Sequence, residues 1–299
     1  MPPVSAAAVA LAFVLDAAVG EVPEPVHPVA WYGSALARLD RPWARPRLVG
    51  GLAAVGLPLA AGAVAAGVTA AGSRLHPWVG AVVAGAVLFS TTSRRMLLDV
   101  ARDVVDLSER ALPAARDRLS ALAGREAAEL PAGEVRSAAV ESAAENLADG
   151  LVAPLAAFAV FAWSLPLAAG AAAVVKAVNT GDSMLGYRSK PVGWAFARLD
   201  DAVMWLPARL TALVIAAAAL DPRAFWRASR WARTPSSPNA GWPMATLAAA
   251  LDVRLEKPDA YALNPGAPLP TAADARRGVA IVGHGGLIAF AAAVVVAWQ

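Results

Sequence analysis

Residues 48–72, "LVGGLAAVGLPLAAGAVAAGVTAAG", carry no charged side chain over twenty-five consecutive positions. As a helix the run is about 37 Å long, against a hydrocarbon core of about 30 Å. It therefore crosses a bilayer with some tilt. In lipid every backbone N–H and C=O must be satisfied internally, which leaves only helices and closed barrels. The expected fold is all-α, a polytopic integral membrane protein of about four to six membrane segments with amphipathic cytoplasmic helices. Composition agrees: 58% of residues are hydrophobic and 16% charged, where a soluble domain carries about 25% charged. Residues 1–299 are read as a single membrane-embedded domain.

The other apolar runs set the segment count. Residues 2–19 lack a preceding basic region, so the expectation is a retained helix, not a cleaved leader. Residues 78–92 are apolar but short, a partial span or a hairpin return. Residues 150–176 are broken by Pro154 and by Ser164-Leu165-Pro166, and the favoured reading is a hairpin that dips in and returns. Residues 202–220 form a span containing Arg209, and residues 278–298 form the last. Between them, 94–149 has helical charge spacing and eight arginines, which reads as amphipathic helix on the cytoplasmic side. The arginine-rich segments 20–47 and 221–277 share that side, and 177–201 joins them if 150–176 is a hairpin. The localisation that follows is the plasma membrane, with the polar residues facing the cytoplasm.

Several classes are excluded. There are no cysteines, hence no disulfide, thiolate metal site or cysteine nucleophile. The three histidines, His27, His76 and His284, form no pair at zinc spacing. No basic stripe interleaves with aromatics, so nucleic acid is not a partner. The P-loop, GxGxxG, GxSxG and HExxH patterns are missing.

What remains are polar clusters at apolar boundaries, where charge is costly and needs a reason. "AVESAAENLADGLVAPL" holds Glu141, Glu145, Asn146 and Asp149. On a helix Glu141 and Glu145 share a face one turn apart. Carboxylates and an amide suit Mg²⁺ or a metal–nucleotide complex, because hard cations take oxygen ligands; ordinary acids on a solvated helix are equally compatible. "KAVNTGDSMLGYRSK" adds Lys176, Asn179, Asp182, Ser183, Tyr187 and Arg188. "ARLDDAVMWLPARL" adds Asp200, Asp201 and Arg209, and an arginine inside a span is paired or functional. Arg125 in "AGREAAEL" is a candidate phosphate ligand, since guanidinium matches phosphate oxygens bidentately. Asn239 sits in the rigid turn "SSPNAGWP". Close helix packing is suggested by Gly62 and Ala66, within or between subunits.

Taken together, these stretches, with "LDAAVGEVPEPVHPVAWYG", "NTGDSMLGYRSKPVGWAFARLDDAVMWLPARLTAL" and "SSPNAGWPMATLAAALDVRLEKPDAY", resemble the cobinamide-phosphate synthase family of cobalamin biosynthesis (CobD/CbiB) from about residue 11 to 261. Two departures stand out: Gly124-Arg125-Glu126-Ala127 replaces the family's usual Gly-Arg-Asp-Thr, and Gly20-Glu21-Val22-Pro23 its Gly-Asp-Pro. The resemblance implies a membrane enzyme, an ATP-dependent acid–amine ligase. It would join cobyric acid or adenosylcobyric acid to (R)-1-amino-2-propanol phosphate, with ATP and Mg²⁺ as cofactors. Under it Glu141, Glu145, Asp149 and Asp182 are the catalytic candidates, and Glu145, Asp182, Asp200 and Asp201 the metal candidates. Arg125, Asn146, Lys176, Asn179, Ser183, Tyr187, Arg188, Arg209 and Asn239 would meet substrate or phosphate. The expected partners are these substrates and the lipid bilayer, with a homo-oligomer left open. The alternatives are a corrinoid or other solute transporter, which predicts internal pseudo-symmetry, and a Mg²⁺-diphosphate-dependent intramembrane prenyltransferase, which predicts paired Asp-rich motifs.

Overall fold

The computed structural model describes residues 2–120, 122, 128–187 and 189–299. The helices are α1 (Pro2–Val19), α2 (Pro28–Ala37), α3 (Pro46–Leu75), α4 (Pro77–Thr91), α5 (Arg94–Arg110), α6 (Leu112–Leu119) and α7 (Ala132–Leu147). They continue with α8 (Ala153–Val160), α9 (Leu165–Leu185), α10 (Trp194–Val203), α11 (Trp205–Ala218), α12 (Arg223–Ala228), α13 (Gly241–Leu251) and α14 (Ala272–Trp298). Among the described residues four helical stretches are long and apolar enough to cross a membrane: Pro46–Leu75, Pro77–Arg110, Ala132–Val160 and Ala272–Trp298. Pro191–Val203 with Trp205–Ala218 makes a fifth if the broken pair is one span. The protein is an all-α polytopic membrane protein, as its apolar runs require.

Two apolar runs differ from their sequence outline. The short 78–92 run is extended, because α4 leads into α5 to make the longer Pro77–Arg110 stretch. The 202–220 span is broken at Met204, where one helix ends and the next begins. Pro207 has no N–H to offer the carbonyl one turn earlier, so the ladder cannot pass through unbroken.

The chain divides into two compact units. The first contains residues 1–93, 149–204 and 289–299; the second contains 94–148 and 205–288. In the first unit α3 packs on α9 and α4, and α8 packs on α9. The 150–176 run turns at 161–164, between α8 and α9, while α8 also closes the Ala132–Val160 stretch that is long enough to cross a membrane. Gly62 and Gly170 make the α3–α9 crossing close: a Cβ on Gly62 would meet Val174 and, at 3.0 Å, the Gly170 carbonyl. Small residues are how helices approach when lipid supplies no hydrophobic drive between them. The Gly62–Ala66 signal is thus met inside one chain.

The second unit is built on α7 and α13, both largely buried. The amphipathic α5 lays Leu97, Leu98, Ala101, Val104 and Val105 into its core. Segment 221–277, expected as loop and short helices, also contains a small antiparallel hairpin, Leu255–Lys257 (β1) with Tyr261–Leu263 (β2), in register Glu256↔Ala262. Its turn has Pro258 followed by Asp259 at φ 60°, and Ala260 N–H closes on the Lys257 carbonyl at 3.0 Å. Proline ahead of a positive-φ residue is the chemistry of a tight turn.

Candidate functional site

The polar residues of the first unit converge on one end of α9. Lys176, Asn179 and Asp182 recur every three positions, so they share a helix face. Opposite Asn179, the chain between α7 and α8 makes one π turn over Ala148–Val152. Pro154 lies one turn beyond Gly150 and cannot donate to its carbonyl. That carbonyl accepts instead from Ser93 N–H at 3.0 Å. Single π turns are frequent at functional sites, and this one carries Asp149. Asn179 Nδ2 donates to Asp149 Oδ2 at 3.0 Å.

Around this pair stand further charges. Lys176 is close enough to feel Asp149 and Glu21. Asp200, on α10, faces Asn179 and interacts with Asp149 and Asp182, and its Oδ1 is buried with no hydrogen-bond partner. Gly181 brings α10 this near, because a Cβ there would occupy the ring of Phe196, which is fully buried. Asp182, beyond the apolar part of α9, is raised above the ordinary carboxylate range, first by burial and then by the neighbouring charge of Asp201. Asp201 also meets Arg198 Nη1 at 3.2 Å.

A third contribution comes from the N-terminal loop. Gly20, at φ 88°, lets the chain leave α1 in the left-handed conformation that glycine tolerates best. His27 caps α2, its Nδ1 accepting from Val29 N–H at 3.1 Å, with Pro28 opening the helix behind it. Neutral imidazole that accepts at Nδ1 carries its proton on Nε2, and Nε2 stands 3.7 Å from Glu21. Burial holds His27 below the ordinary imidazole range, Glu21 opposes that, and Lys176 adds to it. Tyr32 lies nearby with a buried, unpartnered hydroxyl, and burial pushes that phenol above its usual range. In sequence His27 stands out only as one of three histidines without zinc spacing; the His-Pro pair at a helix start is the available signal.

Glu141, Glu145, Asn146, Arg209 and Asn239 belong to the second unit. Glu141 is completely buried and accepts from Tyr261 Oη at 2.6 Å. One turn earlier Ser137 Oγ accepts from Glu256 N–H at 2.8 Å. These two bonds tie the β-hairpin to α7. Glu145 is half-buried. Asn146 donates to the Ser142 carbonyl at 2.9 Å. Arg209 lies over the rings of Trp205 and Trp242, 4.8 and 5.2 Å from their centroids, and donates to Asn239 Oδ1 at 2.5 Å. In the first unit Ser183 returns its hydroxyl to the Asn179 carbonyl at 3.0 Å, and exposed Tyr187 stacks with Lys190. Arg125 and Arg188 lie outside the described residues.

Among the described residues no three His, Asp or Glu side chains gather as a metal cage. The acids at the end of α9 instead present hard oxygens singly or in pairs, including the unpartnered Oδ1 of Asp200. Mg²⁺ binds in this manner, through one or two carboxylates plus the phosphates of its nucleotide. Such oxygens fit the ion, and Asp200, with that open Oδ1, is the residue that would hold it.

Fold and site define a polytopic helical membrane protein with a cluster of carboxylates, an amide and an ammonium set into one helical unit. A family model described as CobD/Cbib protein matches residues 9–282. A cobalamin biosynthesis protein CobD of Rhodobacter capsulatus is 38% identical, covering 85% of this chain and 84% of its own. A cobalamin biosynthesis protein CbiB of Salmonella typhi is 36% identical, covering 91% and 88%, and a CobD of Photorhabdus laumondii is 36% identical, covering 90% and 88%. No solved structure matches. The chain belongs to the CobD/CbiB family.

Proposed function

We propose that this chain is the adenosylcobinamide-phosphate synthase of its pathway, an ATP-dependent ligase at the cytoplasmic face of the plasma membrane, formed by the whole chain as one functional domain. Family membership gives a role in cobalamin biosynthesis; the ligase reading is supported chiefly by the Asp149–Asn179 pair with Lys176, Asp182 and Asp200 around it. In this reading a carboxylate oxygen of cobyric acid attacks the γ-phosphorus of ATP and ADP leaves. The amine of (R)-1-amino-2-propanol phosphate then attacks the acyl carbon, inorganic phosphate departs, and the amine proton passes to a base. Mg²⁺ entering with ATP offsets the charge on the transferring phosphoryl group.

The chain's own residues divide the remaining work. Asp182 is the base, because a carboxylate raised above its usual range is better matched to proton transfer near neutral pH. Asn179 orients Asp149 and faces Asp200. Lys176 offsets the carboxylate charge, as an ammonium does as a point charge. In the second unit, taken by itself, Arg209 beside the rings of Trp205 and Trp242 and Asn239 are the candidates for a phosphate, and Glu145 for a metal.

The test is product formation by detergent-purified protein given adenosylcobyric acid, (R)-1-amino-2-propanol phosphate, ATP and Mg²⁺, read by mass spectrometry. Cobinamide phosphate is expected, and it should vanish without ATP or Mg²⁺. Folded protein that makes no product overturns the reading, and folded Asp182→Ala or Glu145→Ala protein with full activity overturns the residue assignment.

A further inference from the structure

A cavity of about 440 Å³ opens in the first unit between α2, α3, α4 and α9. Leu57, Ala61, Val64, Val87, Ala173 and Ala177 wall it, Trp31 and Tyr32 stand at the α2 end, and Lys176 also lines it. Apart from the unpartnered Tyr32 hydroxyl, its hydroxyls are turned back on their own helices. The hydroxyls of Ser90, Thr91 and Thr180 donate to carbonyls of their own helices, Val87, Leu88 and Lys176, at 2.7–2.8 Å. The Lys176 charge lies in the field of Asp149 and Glu21. One phenol hydroxyl and one ammonium do not repay the desolvation of a triphosphate in an otherwise apolar space, so this is not the nucleotide's place.

The mouth identifies the occupant. α3 turns Leu52, Val55, Leu59, Val64 and Val68 outward, from 48% to 69% exposed, and it is a membrane span. Val64 and Val68 also line the cavity, so its wall is continuous with the lipid-facing surface of that helix. At roughly 30 Å³ per heavy atom, about the share of a water in the liquid, the space holds on the order of a dozen carbons. We propose that the cavity takes one hydrocarbon tail of a bilayer lipid, which enters past Val64 and Val68 and lies against α9 with its headgroup outside. Apolar cavities of this kind stay dry and accept apolar guests.

Photolabelling tests this. The protein is reconstituted in phosphatidylcholine vesicles containing a phosphatidylcholine with a mid-chain diazirine, irradiated, and mapped by peptide mass spectrometry. Adducts are expected at Ala173 and Ala177 on the inner wall as well as at outward Val55 and Leu59. In Ala61→Phe, which fills the cavity, the α9 adducts should fall to background while those at Val55 and Leu59 persist. If Ala61→Phe does not give a folded, monodisperse protein, Ala61→Leu is read instead and a partial fall is expected. Wild-type labelling confined to Val55 and Leu59, or α9 labelling unchanged in the folded variant, overturns the proposal. Activity does not enter this readout, so its failure and that of the ligase reading are distinguishable.

Discussion

Replacing Asn179 with alanine removes the amide that holds Asp149. The bond is 3.0 Å long, Asn179 is only 7% exposed, and its acceptor is a carboxylate. Hydrogen bonds to charged groups contribute about 1.5–3 kcal/mol. Between membrane helices the mean is nearer 0.6 kcal/mol, because the unfolded reference state in lipid also finds partners. The charged acceptor places this bond above that mean, so a coupling of about 1–2 kcal/mol is expected, or roughly 5- to 30-fold in the folding equilibrium. The measurement is a double-mutant cycle of Asn179→Ala and Asp149→Ala, with unfolding in mixed micelles followed by far-UV circular dichroism. Asn179→Ala leaves a carboxylate without its donor, whereas Asp149→Ala removes the charge itself, with both its attraction to Lys176 and its repulsion from Asp182. A coupling below about 0.5 kcal/mol, the ordinary error of additivity, would refute the view that this pair organises the site.

Three other outcomes follow from the same geometry. Tyr261→Phe takes the 2.6 Å donor from the fully buried Glu141 and should destabilise by about 1–3 kcal/mol, measured by thermal unfolding; no change would remove the hairpin anchor from the account. Gly181→Val drives a side chain into buried Phe196 and should cost about 1–3 kcal/mol or more, whereas Gly56→Ala, with nothing within 4 Å of its Cβ position, should be neutral or slightly stabilising. Because the folded protein raises the Asp182 carboxyl, ionising it costs stability, a cost absent below the ordinary aspartate range and complete above the raised one. Asp182→Asn should therefore raise the melting temperature at pH 8, lose that gain as pH falls toward 4, and abolish product formation. An equal shift at both pH values would contradict the assignment.

The apolar run 48–72 determined the class of fold by itself, since an uncharged stretch of that length admits few other outcomes in water or lipid. The blocks around Asn146 and Asn179 determined the family, because spaced polar residues in an alanine-rich chain do not arise from composition. Segment lengths were less legible. Whether α4 stops or runs into α5, and whether 202–220 passes Pro207 intact, depends on where displaced carbonyls find partners. The site was legible as a list of residues but not as an arrangement. Glu141 and Glu145 look like one cluster with Asp149 in sequence, yet Glu141 is spent on Tyr261, 120 residues away, and Asp149 on Asn179, 30 residues away. His27 was passed over because its capping of α2 and its approach to Glu21 exist only once the loop is folded. Local spacing fixes which side chains share a helix face, but the partners that decide each charge come from other helices, and only tertiary packing brings them within hydrogen-bond reach.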